Sequence, residues 1–179
     1  LFDYCHLMTK KGLSNMMQRI THEIPPVYDK NSKILILGSL PSVKSRELNF
    51  YYGNPKNRFY EVIASIVECE KPDTIEEKKE MLHKNHIAVF DVIKECEIHG
   101  SADTSIKNVI VNDFSEIFHT ANIKKVFANG KKAYELYQKY CAESDEVKIV
   151  YLPSTSPANA AYGFERLRQE WQAIKEYLR

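Results

Sequence analysis

The run 33-KILILG-38 is apolar at consecutive positions rather than at alternate ones, and it stops at a glycine. A strand with that pattern has no face to show to water, so it must lie inside a sheet covered on both sides, as parallel sheets are. The run 86-HIAVFDVI-93 repeats the pattern and breaks off at an acid. Two further strands, in 123-IKKVFANG-130 and 147-VKIVYLPSTSP-157, lead into a turn and a Ser/Pro loop. Between the strands lie segments of helical character. A helix from about Arg58 buries Phe59, Val62, Ile63 and Ile66 on one side, and one over Asp73 to Lys84 is opened by Asp73 or Thr74 with Glu76 and Glu77 in its first turn. The segment 112-NDFSEIFHT-120 is a short helix capped by Asn112 or Asp113, and 131-KKAYELYQKYC-141 is another. A closing helix, about Gly163 to Leu178, aligns Phe164, Leu167, Trp171, Ile174 and Leu178. Strands alternating with helices predict an α/β fold, a three-layer αβα sandwich around a short, mostly parallel sheet. Residues 39–57 and 94–108 read as polar loops, and 24-IPPVY-28 as extended chain, since a residue before proline avoids the helical region.

A chain of 179 residues, 44% of them hydrophobic, can bury one substantial core, and residues 17–179 read as a single domain. The stretch LFDYCHLMTKKGLSNM, residues 1–16, shows no period of either kind and is expected to be an N-terminal extension outside the fold, with a natural start at Met16 or Met17. Lys and Arg number 25 against 24 Asp and Glu, a net charge of +1, which excludes a globally basic nucleic-acid coat; any polyanion must be held by a local patch. Cys5, Cys69, Cys96 and Cys141 are scattered, without CxxC or Cys/His spacing, so no metal site is expected and reduced thiols in a cytoplasmic protein are. No apolar run is long enough to cross a membrane.

Ligands of open α/β sheets sit outside the carboxyl ends of the strands. That rule selects the loops after Gly38, Asp91, Asn129 and Leu152. Two of them resemble each other, 38-GSLPSVKS-45 and 152-LPSTSPAN-159, and their hydroxyls and stiff turns suit anionic oxygens. The stretch 50-FYYGNPKNRFYEV-62 adds what a nucleotide needs. Tyr51 and Tyr52 offer flat faces for stacking, worth about 1–3 kcal/mol per base. Asn54 and Asn57 carry donor and acceptor together, Lys56 and Arg58 bring charge, and Gly53 and Pro55 fix a turn. Structural roles stay open beside these: the aromatics as a hydrophobic staple, Asn57 as cap of the helix that Arg58 begins, Asp91 as cap of the following turn. His22, His83, His86, His99 and His119 share no nucleophile or metal spacing and read as surface or core-edge residues, and 129-NGKK-132 reads as a strand-to-helix connection with exposed lysines.

Taken together and in order, 36-ILGSLPSVKS-45, 51-YYGNPKNRFY-60, 89-VFDVIKECEIHGSADTSIKN-108, 128-ANGKKAY-134 and 151-YLPSTSPANAAY-162 resemble the uracil-DNA glycosylase superfamily, and within it the hypoxanthine-DNA (deoxyinosine) glycosylase family. The resemblance implies the αβα fold, DNA containing deaminated bases as partner, base flipping, no cofactor, and a monomer releasing hypoxanthine to leave an abasic site. Relatives carry Asp or Asn two residues after the glycine that ends the first strand; here Gly38 is followed by Ser39 and Leu40, the pattern of the hypoxanthine family, which relies on the asparagine of its NRF motif, Asn57. Tyr52 stands where an aromatic stacks on the flipped base, and Asp91 where the base edge is read. Gly38, Ser39, Asn54 and Phe90 are expected around the base. Ser42, Lys56, Arg58, Ser154 and Ser156 are expected on the DNA, with Ala158 and Asn159 where a wedge fills the vacated stack. Ser154 replaces the His or Asn of the uracil enzymes, and Tyr60 a common Trp. A uracil-preferring mismatch-type glycosylase and a noncatalytic lesion-binding module are the alternatives.

Overall fold

The computed structural model describes residues 17–99, 103–141 and 147–179; the expected extension over 1–16 lies outside them. In chain order, β1 (Met17–Thr21) and β2 (Ile34–Gly38) precede α1 (Val43–Leu48), α2 (Phe59–Val67) and α3 (Ile75–Lys84). Next come β3 (Ile87–Asp91), β4 (Ile93–His99), β5 (Lys107–Val111) and α4 (Ser115–Thr120). The chain then runs through β6 (Lys125–Asn129), α5 (Lys131–Tyr140), β7 (Ile149–Leu152), α6 (Phe164–Trp171) and α7 (Lys175–Leu178).

The consecutive apolar runs become the centre of the molecule. Every residue of β2 and of β3 is buried, and the two strands pair in parallel in a four-stranded sheet of order β3-β2-β6-β7. Helices flank this sheet, α3 packing on β3, α5 on β6 and β7, and α2 against α6, the α/β architecture expected of the sequence. The register sets Gly38 opposite Asp91 and Asn129 opposite Leu152, so the strands end level with one another. The IPPVY segment is extended, and Val27 exchanges two backbone hydrogen bonds with Val89, of 3.0 and 2.8 Å, covering the outer edge of β3.

Residues 39–57 are not all loop: Ser42 caps α1 by accepting from the Ser45 N–H. Residues 94–108 differ more, because β4 and β5 join β1 in an antiparallel sheet of order β1-β4-β5. The expected closing helix is broken by a 3-10 turn at Gln172–Ile174 between α6 and α7. Among the described residues no helix is long and apolar enough to cross a membrane.

Trp171, fully buried at the end of α6, packs edge-on against Phe59 and donates its indole N–H to the Pro153 carbonyl at 2.9 Å. The closing helix therefore pins the second Ser/Pro loop. Trp171→Phe keeps an aromatic ring but strands that carbonyl, and is expected to cost about 1–3 kcal/mol, read as a lower urea midpoint at unchanged slope.

Candidate active site

A cleft of about 530 Å³ opens at the carboxyl ends of the parallel strands. Gly38, Asp91 and Asn129 contribute its strand ends, Tyr52 and Asn57 come from the connection into α2, and Ile20 and Ile98 reach it from the antiparallel sheet. Ser39 and Ser42 line it from the first Ser/Pro loop, and Ser154, Ser156 and Ala158 from the second.

At the floor, Asp91 lies against Gly38 so closely that a Cβ on residue 38 would sit 2.1 Å from Asp91 Oδ1. The other carboxylate oxygen, Oδ2, is 3.1 Å from His22 Nε2, both side chains being nearly inaccessible at 5% and 1% exposure. His22 is thus neither a surface nor a core-edge residue, and nothing in its spacing announced this; the segment after β1 carries it under the cleft, where its ring meets Phe90 edge-on. Asn112, expected as a helix cap, instead donates its amide to the carbonyls of Asp91 and Ile93 at 2.9 and 3.2 Å, and Asp113 accepts from the Ser115 N–H.

Asn57 is half-buried and its carbonyl oxygen is engaged twice, by the Phe59 N–H at 3.0 Å and by the Thr155 hydroxyl at 2.9 Å. A backbone N–H can only donate, so the atom facing it must be the oxygen, and the NH2 group of this cleft-lining residue makes no hydrogen bond among the described residues. Arg58, not Asn57, stands at the N-cap of α2 and makes no side-chain cap bond; Asn57, one residue earlier, receives the first helical N–H, so one side chain both steadies the helix start and lines the cleft. Thr155, with no exposed surface, and Asn129 were not singled out by sequence; only their place in the turns after β6 and β7 pointed toward them.

The aromatic pair divides. Tyr51 is a core residue, 2% exposed, with its hydroxyl donating to the Ile24 carbonyl at 3.0 Å. Tyr52 is partly exposed and adopts a positive φ of 53°, while its ring stacks on Phe59 with centroids 3.8 Å apart. Its hydroxyl is buried beside the Asn129 amide without closing a hydrogen bond of good geometry. Burial, and after it the nearby Asp91, drives the phenol's pKa far above the ordinary tyrosine value, so the hydroxyl stays neutral.

In the Ser/Pro loops the serine oxygens accept from backbone N–H groups: Ser42 from Ser45 at 3.2 Å, Ser154 from Ser156 at 3.2 Å and Ser156 from Ala158 at 3.3 Å. At the end of β6, Gly130 takes φ +102°, and a Cβ there would lie 2.9 Å from Ser154 Cβ, so the turn that starts α5 needs glycine. Arg46, Lys131 and Lys132 bring positive charge to the cleft.

Other expected residues lie off the lining. The Arg58 guanidinium is spent on loop carbonyls, those of Ser156 and Asn159 at 2.9 and 3.1 Å and that of Tyr162. It braces the second loop rather than reaching outward. Asn159 donates to the Ser154 carbonyl at 2.8 Å, and Asn54 accepts from the Lys56 N–H at 2.9 Å in a local turn. Lys56 is exposed on that turn. Phe90 is 7% exposed, its ring held between His22 and Phe114, because it points to the opposite face of β3 from the residues on either side of it.

Residues 25–179 match the Uracil DNA glycosylase superfamily. The chain belongs to that superfamily. It is 36% identical over 157 residues to a protein of Methanosarcina acetivorans named hypoxanthine DNA glycosylase, covering 87% of this chain and 98% of the relative. A protein of the same name from Methanosarcina barkeri is 41% identical over 137 residues, covering 75% and 85%. A solution NMR structure assigned as a uracil DNA glycosylase, also from M. acetivorans, superposes with a TM-score of 0.76 at 33% identity, covering 91% of this chain and 99% of that one.

In this uracil DNA glycosylase superfamily chain the tightest point of the cleft is the Gly38–Asp91 contact. Gly38→Ala must push the carboxylate off its seat and away from His22, and is expected to destabilise the fold by about 1–3 kcal/mol. Ser39→Ala, one residue along, is expected to leave stability within about 0.5 kcal/mol; paired urea titrations compare the two.

Proposed function

We propose that this protein is a monofunctional DNA glycosylase that hydrolyses the N-glycosidic bond of hypoxanthine in deoxyinosine flipped out of DNA, leaving an abasic site. The observation that carries the reading is the Asn57 amide, held at its oxygen by two donors on a residue that lines the cleft, with its NH2 group unbonded among the described residues. Both relatives named above are hypoxanthine DNA glycosylases.

Breaking the bond develops positive charge on the sugar and negative charge on the departing base. A fixed neutral donor aimed at that base stabilises the charge as it forms, and costs no reorganisation at that moment. Asn57 takes this role. Asp91 accepts from the N1–H of hypoxanthine at the floor, its Oδ2 steadied by His22. Tyr52, backed by Phe59, gives its other face to the flipped base. Ser39, Ser154 and Ser156, whose oxygens where bonded accept from the backbone, keep hydroxyl protons for the flanking phosphates, Ser42, which shares a hydroxyl hydrogen bond with Ser45, joins them at the rim, and Lys131 and Lys132 add charge. Ala158 stands at the edge of the cleft where the vacated stack would be met.

Duplexes carrying inosine, uracil or xanthine, incubated with the purified protein and then treated with alkali, are expected to break at the lesion, inosine fastest. Intact strands throughout would leave only a lesion-binding module, and a faster rate on uracil would favour the mismatch-type reading. Asn57→Asp keeps both acceptor contacts and loses the donor, so single-turnover release of hypoxanthine is expected to fall about 10²–10³-fold. A rate at or above wild type for that variant would assign position 57 to water activation instead.

A further inference from the structure

We propose that Asn129 and Thr155 are positioning residues that orient and polarise the Asn57 amide; the inference rests on the role given to Asn57 above. Two backbone donors fix the identity of every atom in the chain. The Thr155 N–H lies 2.9 Å from one end of the Asn129 amide, which must therefore be Oδ1. The other end, Nδ2, is then a donor, and it sits 2.9 Å from Thr155 Oγ1. The hydroxyl receives that hydrogen bond and directs its own proton to the oxygen 2.9 Å away, Asn57 Oδ1, which the Phe59 N–H has already identified as an acceptor.

The result is a one-way series, Asn129 Nδ2–H to Thr155 Oγ1–H to Asn57 Oδ1, ending at the NH2 group in the cleft. Each hydrogen bond accepted makes the next donor stronger, and Thr155 is fully buried, where water does not compete. The backbone tightens the same unit, since the Thr155 carbonyl accepts from the Arg58 N–H at 3.1 Å. The end of β6, the second Ser/Pro loop and the start of α2 are thereby joined at the one amide that the proposed chemistry needs. Without the hydroxyl, only the Phe59 N–H holds the amide, and it can turn about its last side-chain torsion.

Thr155→Val removes the hydroxyl at nearly constant shape. Asn129→Asp is subtler: a carboxylate oxygen in place of Nδ2 draws the Thr155 proton toward residue 129 and leaves two oxygens facing each other at residue 57. Both variants are expected to lower single-turnover release of hypoxanthine by roughly one to two orders of magnitude while the affinity for an inosine duplex, read by fluorescence anisotropy, stays at the wild-type value. Thr155→Ser is expected to restore most of the rate. In 15N–1H spectra the Asn57 side-chain amide pair is expected to shift in both variants and to return toward wild type in Thr155→Ser. Wild-type rates in Thr155→Val and Asn129→Asp beside a slow Asn57→Asp overturn the relay and leave the role of Asn57 standing. Unmoved Asn57 resonances overturn it as well. A wild-type protein that releases no base overturns the enzymatic reading and the relay together, a result told apart because there is then no rate for any variant to lower.

Discussion

Parallel pairing of β2 with β3 sets Gly38 beside Asp91, and the carboxylate fills the space that any side chain at 38 would occupy. The rest of the cleft follows from that contact. Because residue 38 has no side chain, the acid can lie flat across the sheet end, with Oδ1 over the glycine and Oδ2 turned to His22. A buried carboxylate without partners would cost several kcal/mol. His22 supplies one partner, and Asn112, by binding the Asp91 and Ile93 carbonyls, keeps the chain from drifting as it leaves β3 for β4. The second sheet is therefore more than cover: β1 leads into His22, and β4 begins two residues beyond the acid.

On the proposed function, the two Ser/Pro loops are where a nearly neutral chain would meet a polyanion. Ser42, Ser154 and Ser156 each accept a backbone N–H, which satisfies the turn; at Ser154 and Ser156 this leaves the hydroxyl proton to point elsewhere, while Ser42 also shares a hydrogen bond with the Ser45 hydroxyl. Rim lysines at the start of α5 add charge beside a helix start that no side chain caps. Arg58, the cation nearest Asn57 in sequence, works inward, and its three carbonyl contacts give the second loop the rigidity that holds Thr155 in place.

What could be read in the sequence tracks how local its cause is. β2 and β3 announced themselves because complete burial demands consecutive apolar residues, and α3 because the Thr74/Glu77 capping box is a short-range pattern. β4 did not. Register shifts between Ile93, Glu95 and Glu97 break the alternation, so 93-IKECEIH-99 buries Ile93, Cys96 and Ile98 at spacings that match neither strand nor helix. α1 is too short for any period to show. At the site, Gly38, Tyr52, Asn57 and Asp91 could be named from motifs, and the cleft brings them together. His22, Asn129 and Thr155 could not, because their importance lies in partners 69, 26 and 98 positions away. The inward bonds of Arg58 and Asn159 were hidden for the same reason: a polar side chain's type says it will bond, and only the fold says to what.

An amide at position 57 is also the choice that electrostatics favours once Asp91 is in place. A second carboxylate in the same cleft would repel the first, and one of the pair would be driven toward protonation. It would also face the negative charge that builds on a departing base, opposing the step at its most difficult point. A neutral NH2 group avoids both costs, but in water it would turn freely and its hydrogen bond would be worth little. The protein answers by using the oxygen of that amide entirely for structure, as acceptor of the Phe59 N–H at the start of α2 and terminus of the Asn129–Thr155 series, so that folding itself restrains the amide. On the proposed role of Asn57, holding the helix start and serving the reaction are not rival explanations, because the first would be the means to the second.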